Sequence, residues 1–155
     1  MKLAEALQER ADLNVRIQQL RSRLENNAFK QEGEQPSENP DDLLAELNEN
    51  LNRLEWLISR INMTNCSTVV DGMSLTQIIA RKDALTLKLS IYRDLVNTSS
   101  RSAFRARNSE IKIIPTVSVR ELQKQVDSLS KELRLLDNSL QQTNWTVDLN
   151  ENLAE

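Results

Sequence analysis

The chain reads as an all-α protein, an antiparallel four-helix bundle of long, coiled-coil-like helices. Three observations predict it. Apolar residues recur three and four apart over long stretches, most completely at Val119, Leu122, Val126, Leu129, Leu133, Leu136 and Leu140. Only two glycines and three prolines stand among 155 residues, too little turn chemistry for a many-stranded fold. Aromatic residues make up 3% against 39% hydrophobic overall, so the core must be aliphatic. Size predicts one domain over residues 1–149, followed by a frayed acidic tail at 150–155.

The first helix is expected at about 2–26, with Leu3, Ala6, Arg10, Leu13, Ile17, Leu20 and Leu24 as its seam. Arg10 occupies a seam position. Either its stem packs while its head reaches water, or it is a paired charge that sets register. Asn26 to Glu38 breaks the pattern with Gly33, Pro36 and three glutamates, a long connection that is either flexible or functional. Phe29 is its one residue in want of cover.

Asn39-Pro40-Asp41-Asp42 marks the next start: an Asn cap, Pro at the first helical position and acids on the positive dipole end. That helix is expected at about 40–62, with seam Leu44, Leu47, Leu51, Leu54, Ile58 and Ile61, widened by Leu43 and Leu57. Trp56 lies off the line, which suits a rim or a subunit interface. Thr68-Val69-Val70 reads as a short extended piece and Asp71-Gly72 as a turn.

Ser74 and Gln77 form a capping box for a third helix at about 74–97. Its seam is Leu75, Ile78, Lys82, Leu85, Leu89, Tyr92 and Val96, while Ile79, Leu87, Ile91 and Leu95 lie off it. So wide an apolar arc belongs to a central helix or to an oligomer interface. Lys82 mirrors Arg10, and Asp83 is its expected counter-ion. Arg10, Lys82 and Asp83 are thus a candidate buried polar layer, with solvated flanking charges as the alternative.

The fourth helix, at about 118–143, opens on the capping pair Ser118 and Glu121. Two short extended segments bracket it, at about 111–117 and 145–149. A straight helix of that length holds them nearly 40 Å apart at ~1.5 Å per residue. They could pair only between two subunits packed antiparallel. This, Trp56 and the surplus apolar face of the third helix predict a homo-oligomer.

Chemistry is sparse. The chain has no histidine, which removes Ser-His and Cys-His nucleophiles and nearly all zinc or copper sites. It has no Gly-rich phosphate loop and no metal-ligand spacing. No catalytic residue, metal or cofactor is expected, and the protein reads as a non-enzyme. The single cysteine, Cys66, suits a reducing compartment. No stretch approaches the ~18 consecutive apolar residues of a membrane span. The start moves straight into charged sequence, which points to the cytoplasm. The one candidate ligand site is Arg101, Arg105 and Arg107, whose guanidiniums could take an anion, an acidic partner or the chain's own Glu32 to Glu49 stretch.

Met1-Lys2-Leu3-Ala4-Glu5-Ala6-Leu7 with Arg10-Ala11-Asp12-Leu13 resembles the start of the small bacterial septicolysin-like proteins. Ala80-Arg81-Lys82-Asp83, Ser109-Glu110-Ile111-Lys112, Leu122-Gln123-Lys124-Gln125-Val126-Asp127 and Asn144-Trp145-Thr146 extend the resemblance in order along the chain. The family name implies a membrane-active cytolysin, with no site residues to carry over. Three functions are therefore expected to compete: a helical assembly or adaptor protein, a cytolysin, and an anion- or nucleic-acid-binding module through the arginine segment.

Overall fold

The computed structural model describes residues 1–105 and 112–152, the side chains of 102–105 excepted. The protein is all-α, as its periodicity predicts. Four long helices dominate: α1 (Leu3–Asn26), α2 (Pro40–Ser67), α3 (Leu75–Arg105) and α4 (Val119–Thr146). Two-residue strands β1 (Val69–Val70) and β2 (Met73–Ser74) pair between α2 and α3. Asp71 and Gly72 turn between them with φ of 50° and 81°, a left-handed conformation that glycine adopts without penalty.

The chain divides into two compact units. The first holds residues 1–69 together with the stretch from Thr143 onward, and the second runs from Val70 to Gln142. In the first, α1 packs antiparallel on α2. Leu3, Ala6, Leu13 and Leu20 of α1 are buried, the seam expected for it. Arginine bridges lie across the pair, Arg53 to Glu9 and both Arg16 and Arg23 to Glu46, and Arg23 also reaches Glu38 just before α2. Glu38 also donates its N–H to Asn27 Oδ1 at 3.0 Å, which closes the long α1–α2 connection at its far end. Phe29 stays uncovered, at 92% exposed.

The α2 seam is one residue away from its expected line. Leu43, Asn50, Leu57, Ile61 and Thr64 are buried, whereas Leu44, Leu51 and Ile58 are exposed. Both lines share Leu47, Leu54 and Ile61, so hydrophobicity favours the one that is wholly aliphatic. The buried line is tolerated because its polar members are satisfied. Asn50 Nδ2 donates to Glu46 O at 2.8 Å, and Thr64 Oγ1 donates to Arg60 O at 2.8 Å.

In the second unit α3 and α4 run antiparallel. The α3 seam holds as expected, with Leu75, Ile78 and Leu89 buried and Lys82, Leu85, Tyr92 and Val96 half-buried. Along α4, Val126 and Leu140 are buried and the seam residues between them half-buried. Ser74 Oγ accepts from Gln77 N–H while Gln77 Oε1 accepts from Ser74 N–H, the predicted capping box. Asn39 Oδ1 likewise caps α2 through Asp41 N–H at 3.0 Å.

Several expected boundaries move. α2 continues past 62 to Ser67, α3 past 97 to Arg105 and α4 past 143 to Thr146. Hydroxyls hide these extensions from a polarity reading. Ser67 and Ser100 each donate to the carbonyl one turn back, so polar side chains sit in helix without competing for it.

The extended segment expected at 111–117 is not a strand: residues 112–118 carry no sheet pairing, and Ile113 and Ile114 are exposed. Pro115 lacks the N–H a ladder needs, and residue 111 lies outside the described residues. The segment expected at 145–149 narrows to 147–149, because Trp145 and Thr146 finish α4. Its partner is the chain's own start. Leu3 N–H donates to Val147 O at 3.0 Å, and Leu149 N–H donates to Met1 O at 2.8 Å, around an antiparallel bridge of Lys2 with Asp148. An exchange of this segment with the 111–117 stretch of a second subunit is thereby replaced by an intramolecular pair. Nor is the tail frayed at 150–152: Asn150 N–H donates to Thr64 Oγ1 at 2.9 Å, and Asn152 O accepts from Arg60.

The seam assignment on α2 is testable. Leu57→Ala should cost about 2–5 kcal/mol of unfolding free energy by urea denaturation, whereas Leu44→Ala should cost below about 0.5. Equal losses at the two positions would return Leu44 to the core.

Candidate functional site

Two kinds of surface stand out: aliphatic lines left on the outside of helices, and a polar cluster in the first unit. The lines arise because α2 and α3 each carry more than one apolar seam. On α2, Leu44, Leu51 and Ile58 are 41–46% exposed, and a shallow groove of about 500 Å³ runs beside Leu51, Leu54, Glu55, Ile58 and Ser59. On α3, Leu87, Ile91 and Leu95 are 64%, 55% and 38% exposed. These are the residues that periodicity places off the third seam, and the structure leaves them facing outward. Another concavity, of about 260 Å³, lies in the second unit, where Met73, Ile78, Leu135 and Leu136 meet the ion pair of Arg81 with Glu132.

The polar cluster is built by α2. Arg53, Trp56 and Arg60 follow one another at three- and four-residue steps, so one helix face brings both guanidiniums to the indole. Arg53 lies 4.5 Å from the ring centroid and Arg60 6.0 Å, within cation–π range. Trp56 is half-buried at this rim. Arg53 also forks onto Glu9 of α1, Nε to Oε1 at 2.6 Å and Nη2 to Oε2 at 2.8 Å. That bidentate hydrogen bond holds the Glu9 carboxyl below its ordinary value of 4.5. Arg60 is 6% exposed, donates to Asn152 O at 3.0 Å and leaves its buried Nε without a hydrogen-bond partner. Its charge is dispersed over a carbonyl, the Met63 sulfur and the indole face. This arrangement holds structure together; it has no nucleophile and no acid–base pair.

The residues singled out by sequence fall as follows. Arg10 is half-buried on α1. Lys82 is half-buried and paired, but with Asp137 of α4 rather than with Asp83, which is exposed. Asp83 is a poor partner because it is the next residue, some 100° around the helix; Asp137 arrives from across the seam. Arg101 is exposed on α3. Arg105 ends α3 with its side chain outside the described residues, and Arg107 lies outside them altogether. The acidic stretch offered as their partner is in part engaged already: Glu38 by Arg23, and Glu46 by Arg16 and Arg23. Sequence reasoning missed Asn50, Arg60 and Thr64 because no hydrophobic period marks a buried polar residue. The i, i+3, i+7 run Arg53, Trp56, Arg60 was the legible hint.

Among the described residues, no helix is long and apolar enough to cross a membrane. Antiparallel helical hairpins, each sealed by one aliphatic seam and edged by arginine–carboxylate pairs, define the class of protein. The chain belongs to the DUF6847 family, described as a family of unknown function, whose signature matches residues 10–149. It is similar to a solved crystal structure of a functionally unknown conserved protein from Corynebacterium diphtheriae. That structure is 40% identical, covers 97% of this chain and 99% of its own, and superposes with a TM-score of 0.89. No curated protein matches the chain.

The Glu9–Arg53 bridge makes a pH prediction. A carboxyl with a lowered folded pKa contributes stability above its unfolded value near 4.5, and loses it as pH falls through the folded value. Glu9→Gln should therefore lower the unfolding free energy from urea denaturation at pH 7 slightly, by below about 1 kcal/mol. It should also flatten the stability profile below pH 4.5. An unchanged profile would mean that the bridge forms without stabilising the fold.

Proposed function

We propose that the protein is a non-enzymatic helical assembly protein that acts as a homo-oligomer. The observation that carries this reading is the pair of exposed aliphatic lines, Leu44–Leu51–Ile58 on α2 and Leu87–Ile91–Leu95 on α3. Single exposed leucines are ordinary on a protein surface, but aligned ones at helical spacing are a helix's means of taking a further helix. Their chemistry suits another aliphatic surface better than a small polar substrate. The absence of histidine from the sequence, and the engagement of the conspicuous arginines and acids in helix-to-helix bridges, favour packing over catalysis.

Size exclusion coupled to light scattering, at low and at moderate salt, tests the reading. A discrete oligomer at both is expected, because aliphatic burial is insensitive to screening over that range. A monodisperse monomer at every concentration would overturn it.

A further inference from the structure

Arg53 and Arg60 stand two turns apart on one face of α2, and their guanidiniums are answered differently. Arg53 gives its Nε–Nη2 edge to the Glu9 carboxylate. Arg60, only 6% exposed, makes its hydrogen bonds from Nη1, to Asn152 O at 3.0 Å and to the Met63 sulfur at 3.6 Å. Its Nε is buried without a partner, and among the described residues no carboxylate pairs with it. A buried guanidinium held by neutral groups alone is costly, and an anion would relieve it.

The α1–α2 register explains why α1 supplies none. Arg53 stands against Glu9 and Glu46 against Arg16, so position 60 stands against position 2. That residue is Lys2, a second cation, which turns to Asp148 Oδ1 at 2.8 Å and Thr146 O at 3.0 Å. Other acids at this end are engaged: Glu5 accepts from Lys2 N–H at 2.7 Å, and Glu151 from the Met1 amino group at 3.0 Å. Two of Arg60's neighbours, Trp56 and Met63, are fixed on its own helix. Asn152 is not. Beyond buried Leu149, residues 150–152 are held by Asn150 N–H on Thr64 Oγ1, by the Glu151 contact and by Asn152 O, and Glu151 and Asn152 are exposed.

We propose that residues 150–152 are a strap over a carboxylate-binding site at Arg60. The strap swings aside about Leu149, and a ligand carboxylate takes the Nε–Nη2 edge. A neutral carbonyl is thereby exchanged for two charge-assisted hydrogen bonds, in the side-on geometry that Arg53 already adopts with Glu9. Because the ligand binds the open form, it shifts the strap toward opening. The site uses none of the exposed aliphatic residues, so it stands or falls apart from the assembly reading.

The Arg60 Nε–H resonance, followed by NMR in the full chain, reports the site directly. Sodium acetate, exchanged for sodium chloride at constant ionic strength, should shift it saturably with a millimolar midpoint. It should also speed solvent exchange of the Asn150 N–H about tenfold, as that group leaves Thr64. Thr64→Val removes the strap's acceptor within the same shape and should tighten acetate binding about threefold. Arg60→Lys keeps the charge but not the fork, and Asn150 exchange should then no longer respond to acetate. A capped tripeptide with a central glutamate, titrated separately, distinguishes a protein side chain from a free carboxylate, the tighter of the two naming the source. An Arg60 Nε–H that neither titrant moves beyond the chloride control would overturn the site. A saturable shift with Asn150 exchange and the Thr64→Val affinity unchanged would overturn the strap, whether or not Arg60→Lys folds.

Discussion

Each helix hides one aliphatic line against one antiparallel neighbour, and the other features of the protein depend on that burial. With so few aromatic side chains, no large ring is fully buried among the described residues. Leu3, Leu20, Leu57, Ile61 and Leu75 are the interior's most fully buried large side chains. Such a core is thin, a seam wide rather than a volume deep. Stability then scales with seam length, which is why the helices run to 24–31 residues.

A thin seam leaves register weakly specified, because a helix such as α2 offers more than one line of leucine, and hydrophobicity alone would bury the other one. Polar contacts make the choice. On α2 the line containing Asn50 and Thr64 is buried in preference to the line of Leu44, Leu51 and Ile58. Asn50 meets its own helix's carbonyl, and Thr64 meets both a carbonyl and the N–H of Asn150. The arginine bridges Arg53–Glu9, Arg16–Glu46 and Arg23–Glu46 lie between α1 and α2 and oppose sliding of the pair. Exposed bridges of this kind contribute little energy each, but a slipped pairing would lose all of them together. Lys82 with Asp137 and Arg81 with Glu132 serve α3 and α4 in the same way.

The ends of the first unit are drawn together by backbone rather than by core. Residues 147–149 pair with Met1–Leu3, Asn150 reaches Thr64, and Asn152 covers Arg60. Leu149 is buried as a result. The pairing also satisfies the N–H of Leu3 in the first turn of α1, one of the donors that every helix leaves open. Among the described residues, the apolar side chains left uncovered at helical spacing lie on α2 and α3, and those lines are the basis for proposing that the molecule is a component of an assembly.

The sequence by itself determined the helical class, the three helix starts at Asn39, Ser74 and Ser118, the α1, α3 and α4 seams and the Asp71-Gly72 turn. All of these rest on local chemistry, namely capping, dipole, turn preference and period, which needs no knowledge of a distant partner. Tertiary structure alone decided which of two leucine lines on α2 faces inward, that Asp137 rather than Asp83 answers Lys82, and that residues 147–149 pair with the start of the chain. Each of those choices turns on contacts with groups that the chain's local pattern does not bring together. Hydrogen bonding and charge settle it, and only the folded chain brings those groups together.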